Sequence, residues 1–181
     1  MAALVAALLI RATDTSADLT AIVADRSKRM AAILIGAAVA LAVTQAVAAI
    51  SGLLVAPHLT PNAARLLFAF SLLMAGGGAL WPRKPVDPGT LGRPLITVTS
   101  KLIAGGLGDR TMFATFAVAA GGVPALAGVG GFIGGFVVLA AAAVAGETLW
   151  AARQRRAIDR TIGGVLMIAG AWLALSALRL I

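Results

Sequence analysis

Along this chain long apolar runs alternate with short polar interruptions, and six of the runs reach the ~20 residues that cross a hydrocarbon core of ~30 Å. They cover Ala2 to Ala24, Met30 to Ala56, Pro61 to Trp81, Leu95 to Ala120, Val123 to Trp150 and Ile158 to Ile181. The expected fold class is therefore an all-α integral membrane protein with six transmembrane helices. The connections are short except for the Pro/Gly-rich stretch after Trp81. That stretch divides the chain into a first three-helix unit, 1–81, a linker loop, 82–94, and a second three-helix unit, 95–181.

The polar positions inside these runs carry the rest of the reading. In the first run Arg11, Asp14 and Asp18 interrupt the apolar sequence at spacings that share one face of a continuous helix. No positively charged leader precedes that run, so it is expected to stay as a span and not to act as a secretory signal. The fourth run contains the polar, glycine-rich stretch Gly105-Gly106-Leu107-Gly108-Asp109-Arg110-Thr111. An ionised aspartate at membrane depth costs about 2.5 to 3.5 kcal/mol on insertion scales, so Asp109 should face protein or a water-filled cavity with a partner. The glycines there let another backbone approach, or let the helix open and present carbonyls.

Elsewhere the polar residues point to packing. Thr44 and Gln45 suit an interhelical hydrogen bond, and His58 suits a solvated turn. Trp81 suits an interfacial anchor, and Glu147, the only glutamate, an interfacial ion pair. Gly130 with Gly134 and Gly131 with Gly135, each pair four apart, mark a close-packing helix face. A phosphate loop would need a preceding strand and a following Lys-Ser/Thr, and neither is present.

The two units read as a repeat. An offset of 95 residues, without gaps, aligns Asp14 with Asp109, Thr20 with Thr115, Gly36 with Gly131 and Arg65 with Arg160. Three spans per copy is an odd number, so the second copy must enter the membrane inverted. In inverted repeats the site lies near the midplane, between the copies, so Asp14 and Asp109 are expected to face a shared cavity.

Composition agrees with a membrane protein: of 181 residues, 60% are hydrophobic and 12% charged. The formal charge of +8 does not imply nucleic acid as a partner, because the basic residues gather in loops beside the spans. Arg26, Lys28 and Arg29, then Arg83, Lys84 and Arg93, then Arg153, Arg155, Arg156 and Arg160 would all be cytoplasmic by the positive-inside rule. Both termini would then lie outside, in a bacterial-type plasma membrane, with the lipid bilayer as the main partner. With no cysteine and a single histidine, any metal site must use oxygen ligands, and no nucleophile–base pair suggests an enzyme.

Gly106-Leu107-Gly108-Asp109-Arg110-Thr111 resembles the Glu-x-Gly-Asp-Lys/Arg-Thr/Ser motif of the GDT family, the Golgi-type calcium/manganese–proton antiporters and their bacterial manganese-exporting relatives. That family has two three-helix repeats with one motif on the first helix of each. In the first copy Arg11-Ala12-Thr13-Asp14-Thr15-Ser16 keeps the aspartate and the final hydroxyl, with Arg11 at the glutamate position. The resemblance implies a secondary transporter exchanging a small cation, Mn2+ or Ca2+, for protons, with no resident cofactor. It implies Asp14 and Asp109 as metal ligands, with Asp18, Ser16 and Thr111 as further candidates and Arg11, Arg110, Gly106 and Gly108 modulating the site. Two intact motifs would carry a net charge of −2, whereas Asp14, Asp109, Arg11 and Arg110 sum to zero. Two other readings stay open: a non-transporting membrane protein acting as a packing partner or subunit, and a transporter with an altered, anionic substrate.

Overall fold

The computed structural model describes residues 1–81, 94–152 and 155–179. The linker 82–93, with Arg83, Lys84 and Arg93, lies outside the described residues, as do Arg153, Gln154 and the last two residues. Among the described residues there are helices and no strands: α1 (Ala2–Ala12), α2 (Thr15–Ser27), α3 (Met30–Val55), α4 (Pro61–Leu80), α5 (Pro94–Gly106), α6 (Arg110–Ala120), α7 (Pro124–Ala152) and α8 (Arg155–Ala177). A 3₁₀ turn, Ala56–His58, joins α3 to α4 and leaves His58 exposed.

Four of these helices are long and apolar enough to cross a membrane, α3, α4, α7 and α8, so this is a multi-pass membrane protein. Their outward faces carry exposed apolar side chains, including Ile35 and Leu54 on α3, Phe70 on α4 and Ile168 and Trp172 on α8. Such a surface is stable against lipid tails and not against water.

The other two expected spans are broken, which corrects the reading of each as one continuous helix. The first becomes α1 and α2, of 11 and 13 residues, and the second becomes α5 and α6, of 13 and 11. At 1.5 Å per residue each piece is only about 16 to 20 Å long, so neither half crosses alone. The breaks fall at Asp14 and Asp109, the two residues that the offset of 95 aligns.

Both breaks have a local chemical cause. Thr13 turns its hydroxyl back on the Ile10 carbonyl at 2.8 Å, and Asp14 is extended (φ −104°, ψ 155°) and accepts from the Thr15 N–H. Asp109 is also extended (φ −72°, ψ 169°), and its carboxylate accepts from Met112 N–H at 2.6 Å. Short polar side chains compete with the helix ladder in this way and serve as N-caps. Gly108 has φ +82°, where a side chain would be strained, so this glycine is what lets α5 end and α6 begin in a new direction. Arg11, Asp14 and Asp18 therefore do not share one helical face: Arg11 ends α1, Asp14 caps α2, and Asp18 lies in the first turn of α2.

Each broken helix packs on a long helix of the other half: α1 and α2 on α7, α5 and α6 on α3. The long helices meet one another as α3 on α7 and α4 on α8. Glycine makes these approaches close. A Cβ on Gly134 would lie 2.6 Å from the Leu4 carbonyl of α1, and one on Gly52 would lie 2.6 Å from the Phe116 carbonyl of α6. The Gly130/Gly134 spacing is thus the packing face that the sequence indicated. Glu147 forms a two-pronged ion pair with Arg26, at 3.0 Å for both contacts, which ties the end of α2 to the end of α7.

Backbone proximity gives a direct test. Gly52→Val puts a branched side chain against the backbone of α6 and should cost about 1–3 kcal/mol, seen as a lower melting temperature in detergent. Gly105→Ala, where an added Cβ meets nothing within 4 Å and alanine suits a helix better than glycine, should not lower the melting temperature. Equal effects of the two substitutions would contradict this packing.

Candidate functional site

Four half-helix ends converge where the two broken helices meet. The N-termini of α2 and α6 carry the positive ends of their helix dipoles, and Asp14 and Asp109 sit on them as caps. The C-terminus of α1 carries the negative end, and Arg11 lies in its last turn. Arg110 donates from Nη2 to the Thr13 carbonyl just beyond that end, at 3.4 Å. Backbone dipoles and side-chain charges are therefore matched at the N-termini of α2 and α6 and at the C-terminus of α1.

Arg11 is the centre of the arrangement and is only 2% exposed. Its Nη1 donates to Asp109 Oδ2 at 2.9 Å, to Asp14 Oδ2 at 3.1 Å and to Ser16 Oγ at 3.1 Å. Ser16 Oγ in turn donates to Asp14 Oδ2 at 2.9 Å. One nitrogen thus joins both breaks. The other carboxylate oxygens are engaged as caps, Asp14 Oδ1 by Thr15 N–H and Asp109 Oδ1 by Met112 N–H.

Arg110 reaches across to α4, donating from Nη1 to the Ala75 carbonyl at 3.2 Å, while its Nη2 stands 3.8 Å from Asp14 Oδ1. Gly78 makes room for it, since a Cβ there would lie 2.8 Å from Arg110 Nη1. The arginine beside Asp109 in sequence thus leans towards the other half's aspartate. Asp109 is held by the other half's arginine.

The remaining candidates are scattered around this core. Thr111 is fully buried, and its hydroxyl has no partner among the described residues. Asp18 is 8% exposed and accepts from Trp150 Nε1 at 3.1 Å, so it is tied to the end of α7. Gly106 would direct a Cβ at Thr44 Cγ2, 3.1 Å away, and so packs on α3. Gly108 supplies the turn, and an added Cβ there would meet nothing within 4 Å. Of the glycines expected to admit another backbone, only Gly106 meets a neighbouring helix, whereas Gly105 and Gly108 meet nothing within 4 Å.

A cavity of about 110 Å³ lies between α2 and α5, and Asp14, Ser16, Lys101 and Gly105 are among the residues lining it. Asp109 is not among its lining residues, so the two aspartates share Arg11 and do not share this cavity. Lys101 escaped the sequence reading because nothing marks a lone lysine in an apolar run as cavity-lining until α5 is placed on α3. The Thr44-Gln45 expectation holds for Gln45, whose Oε1 accepts from Thr115 Oγ1 of α6 at 2.6 Å, whereas Thr44 donates to its own helix at Ala40. A larger apolar groove of about 320 Å³ between α3 and α7 is lined by none of the charged residues above.

The chemistry follows from these contacts. A hard divalent cation takes six to eight oxygens at about 2.3–2.6 Å, or a near-octahedral shell for smaller ions. Here both carboxylates are already neutralised and their oxygens engaged, and among the described residues no group of three His, Cys, Asp or Glu could hold a metal ion. Mn2+ or Ca2+ does not fit the site in this arrangement. Comparison with protein-family models, curated proteins and solved structures finds no match for this chain.

If Arg11 joins the breaks, its loss and that of Asp109 should not be additive. Arg11→Gln takes the shared cation from two carboxylates, which costs about 3–5 kcal/mol, whereas Asp109→Asn leaves Arg11 paired with Asp14 and costs less. The double variant removes both charges and should be more stable than the two losses summed, by about 1–3 kcal/mol. Additive shifts in denaturation midpoint would show that the two side chains do not interact.

Proposed function

We propose that this protein is a secondary transporter working by alternating access, built as two inverted three-span halves with Asp14 and Asp109 at its central site. One observation carries the reading: two helix breaks at aligned positions, each capped by an aspartate, meet at one buried side chain. Broken helices that face each other near the midplane are how secondary transporters bring polar backbone and charge into a bilayer without exposing them to lipid. The exchanged packing of each broken helix on the other half supports the inverted repeat.

The two ends of the site differ in a way that suits such a cycle. On the side towards Arg26, Glu147 and the basic loops, the cavity between α2 and α5 leads to Asp14. On the other side Ala6, Ile10, Leu72, Ala75, Ala114 and Leu166 close together as an apolar cluster. With the basic loops cytoplasmic and the termini outside, this is a state that faces the cytoplasm. The opposite state needs the apolar cluster to part and the α2/α5 cavity to close. The solute is small: about 110 Å³ holds a few water-sized groups at ~30 Å³ each.

A second reading, a non-transporting packing partner or subunit, is favoured by a different observation: Arg11 fills the place between the carboxylates and, with Arg110, leaves the site neutral. Cysteine accessibility separates the two, and the chain has no native cysteine to interfere. Gly105→Cys lies on the cavity and should react with a membrane-impermeant thiol reagent from the side of the basic loops. Ala114→Cys is 2% exposed in this state and should react slowly from the opposite side if the molecule cycles. Complete and lasting protection of Ala114→Cys would contradict alternating access. In vesicles under an imposed pH gradient, Mn2+ and Ca2+ uptake should equal that of empty vesicles, and uptake of either above that level would contradict exclusion of divalent ions.

A further inference from the structure

The three oxygens around Arg11 Nη1 describe a binding site in their own right. Asp14 Oδ2, Ser16 Oγ and Asp109 Oδ2 lie 2.9 to 3.1 Å from one cationic nitrogen, contributed by α2 and by the cap of α6. These are N–H···O distances, longer than the ~2.3–2.6 Å of calcium–oxygen contacts. Nη1 has two hydrogens for three acceptors, whereas an ammonium has three. Elsewhere on the guanidinium, Nε is buried without a hydrogen-bond partner and faces α7, where a Cβ added at Gly135 would lie 3.9 Å from it. The site therefore grips a nitrogen cation at its tip and does little for the stem that delivers it.

We propose that the cup formed by Asp14, Ser16 and Asp109 is a binding site for a monovalent nitrogen cation, a guanidinium or primary ammonium group, and that Arg11 is its tethered occupant. The tether answers a constraint of the fold. Two carboxylates at two helix breaks inside a bilayer need a compensating charge at every moment, and a covalently attached one never leaves. Because arginine stays protonated at all physiological pH values, its compensating charge persists without proton uptake, and Arg110 beside Asp14 supplies the second. The same occupancy, together with Arg110, gives the breaks a net site charge of zero. The proposal rests on Asp14 and Asp109 forming one site and does not depend on transport. It can fail while the cysteine accessibilities hold, and the reverse.

The test is chemical rescue. Arg11→Ala removes the tethered occupant and leaves the three oxygens, so the variant should melt lower than wild type in detergent. Guanidinium chloride or ammonium chloride in the low millimolar range, compared with NaCl at equal ionic strength, should raise its melting temperature saturably, as for a ligand that binds only the folded state. Wild type, with the cup filled, and Arg11→Ala/Asp109→Asn, with the cup broken, should not respond. A larger shift with MnCl2 or CaCl2 than with guanidinium would overturn the proposal in favour of a metal site. No response to any cation would show that the cup does not outlast its tether, which also overturns it. Should Arg11→Ala fail to fold, Arg11→Lys and Arg11→Gln decide the matter: the ammonium of Lys should recover most of the wild-type melting temperature and the neutral amide should not. Equal loss in the two variants would contradict a nitrogen-cation site.

Discussion

The structure depends on the charge contact that joins its two helix breaks. A break inside a membrane leaves backbone groups unpaired and brings polar side chains to a depth where water cannot serve them. Here each break is capped by an aspartate, and the two aspartates are bridged by one buried arginine, with Arg110 beside Asp14 completing the charge balance. Arg110 extends the contact to α4 and to the end of α1. The glycine contacts of α7 with α1 and of α3 with α6 then hold the half-helices in the positions this pairing needs. Remove the arginine and two carboxylates confront each other in a low dielectric. Remove one aspartate and Arg11 keeps the other, but the two breaks are no longer joined.

Much of this was legible in the chain, and the part that was not has a physical reason. Hydropathy located the apolar runs, and the offset of 95 residues paired Asp14 with Asp109. Charge and spacing indicated that Arg11 would find an acid. Hydropathy could not show the breaks, because a window averaged over ~20 residues records how apolar a segment is and not whether its backbone stays helical. The local signal was present in Thr13-Asp14-Thr15-Ser16 and in Gly108-Asp109, where short polar caps and a glycine end one helix and start another. The glycines at 105, 106 and 108 mark the second break as a place where a helix can open, whereas the first break has no glycine to mark it.

Partner choice was the other hidden quantity. Sequence neighbours Asp109 and Arg110 suggest a local pair, yet each reaches to the opposite half, since adjacent helical positions point roughly 100° apart. Trp150 bonding Asp18 and Arg26 bonding Glu147 are likewise long-range contacts that only the packing of α2 on α7 creates. The resemblance to divalent-cation antiporters points to Asp14 and Asp109, the residues that cap the two breaks. The charge at those residues then argues against the divalent ion, because the position that would carry an acid in the first motif carries Arg11.

The claim at the centre of this account is that the Arg11 guanidinium is fixed between Asp14 and Asp109. Side-chain nitrogen NMR of the arginine-labelled protein reads this directly, with Arg11 assigned by its disappearance in Arg11→Lys. A guanidinium held at Nη1 by three acceptors should show slow rotation about its Nε–Cζ bond and two resolved Nη signals, which merge when Asp109 becomes Asn. A single averaged Nη signal for Arg11 in the wild-type protein would contradict the account.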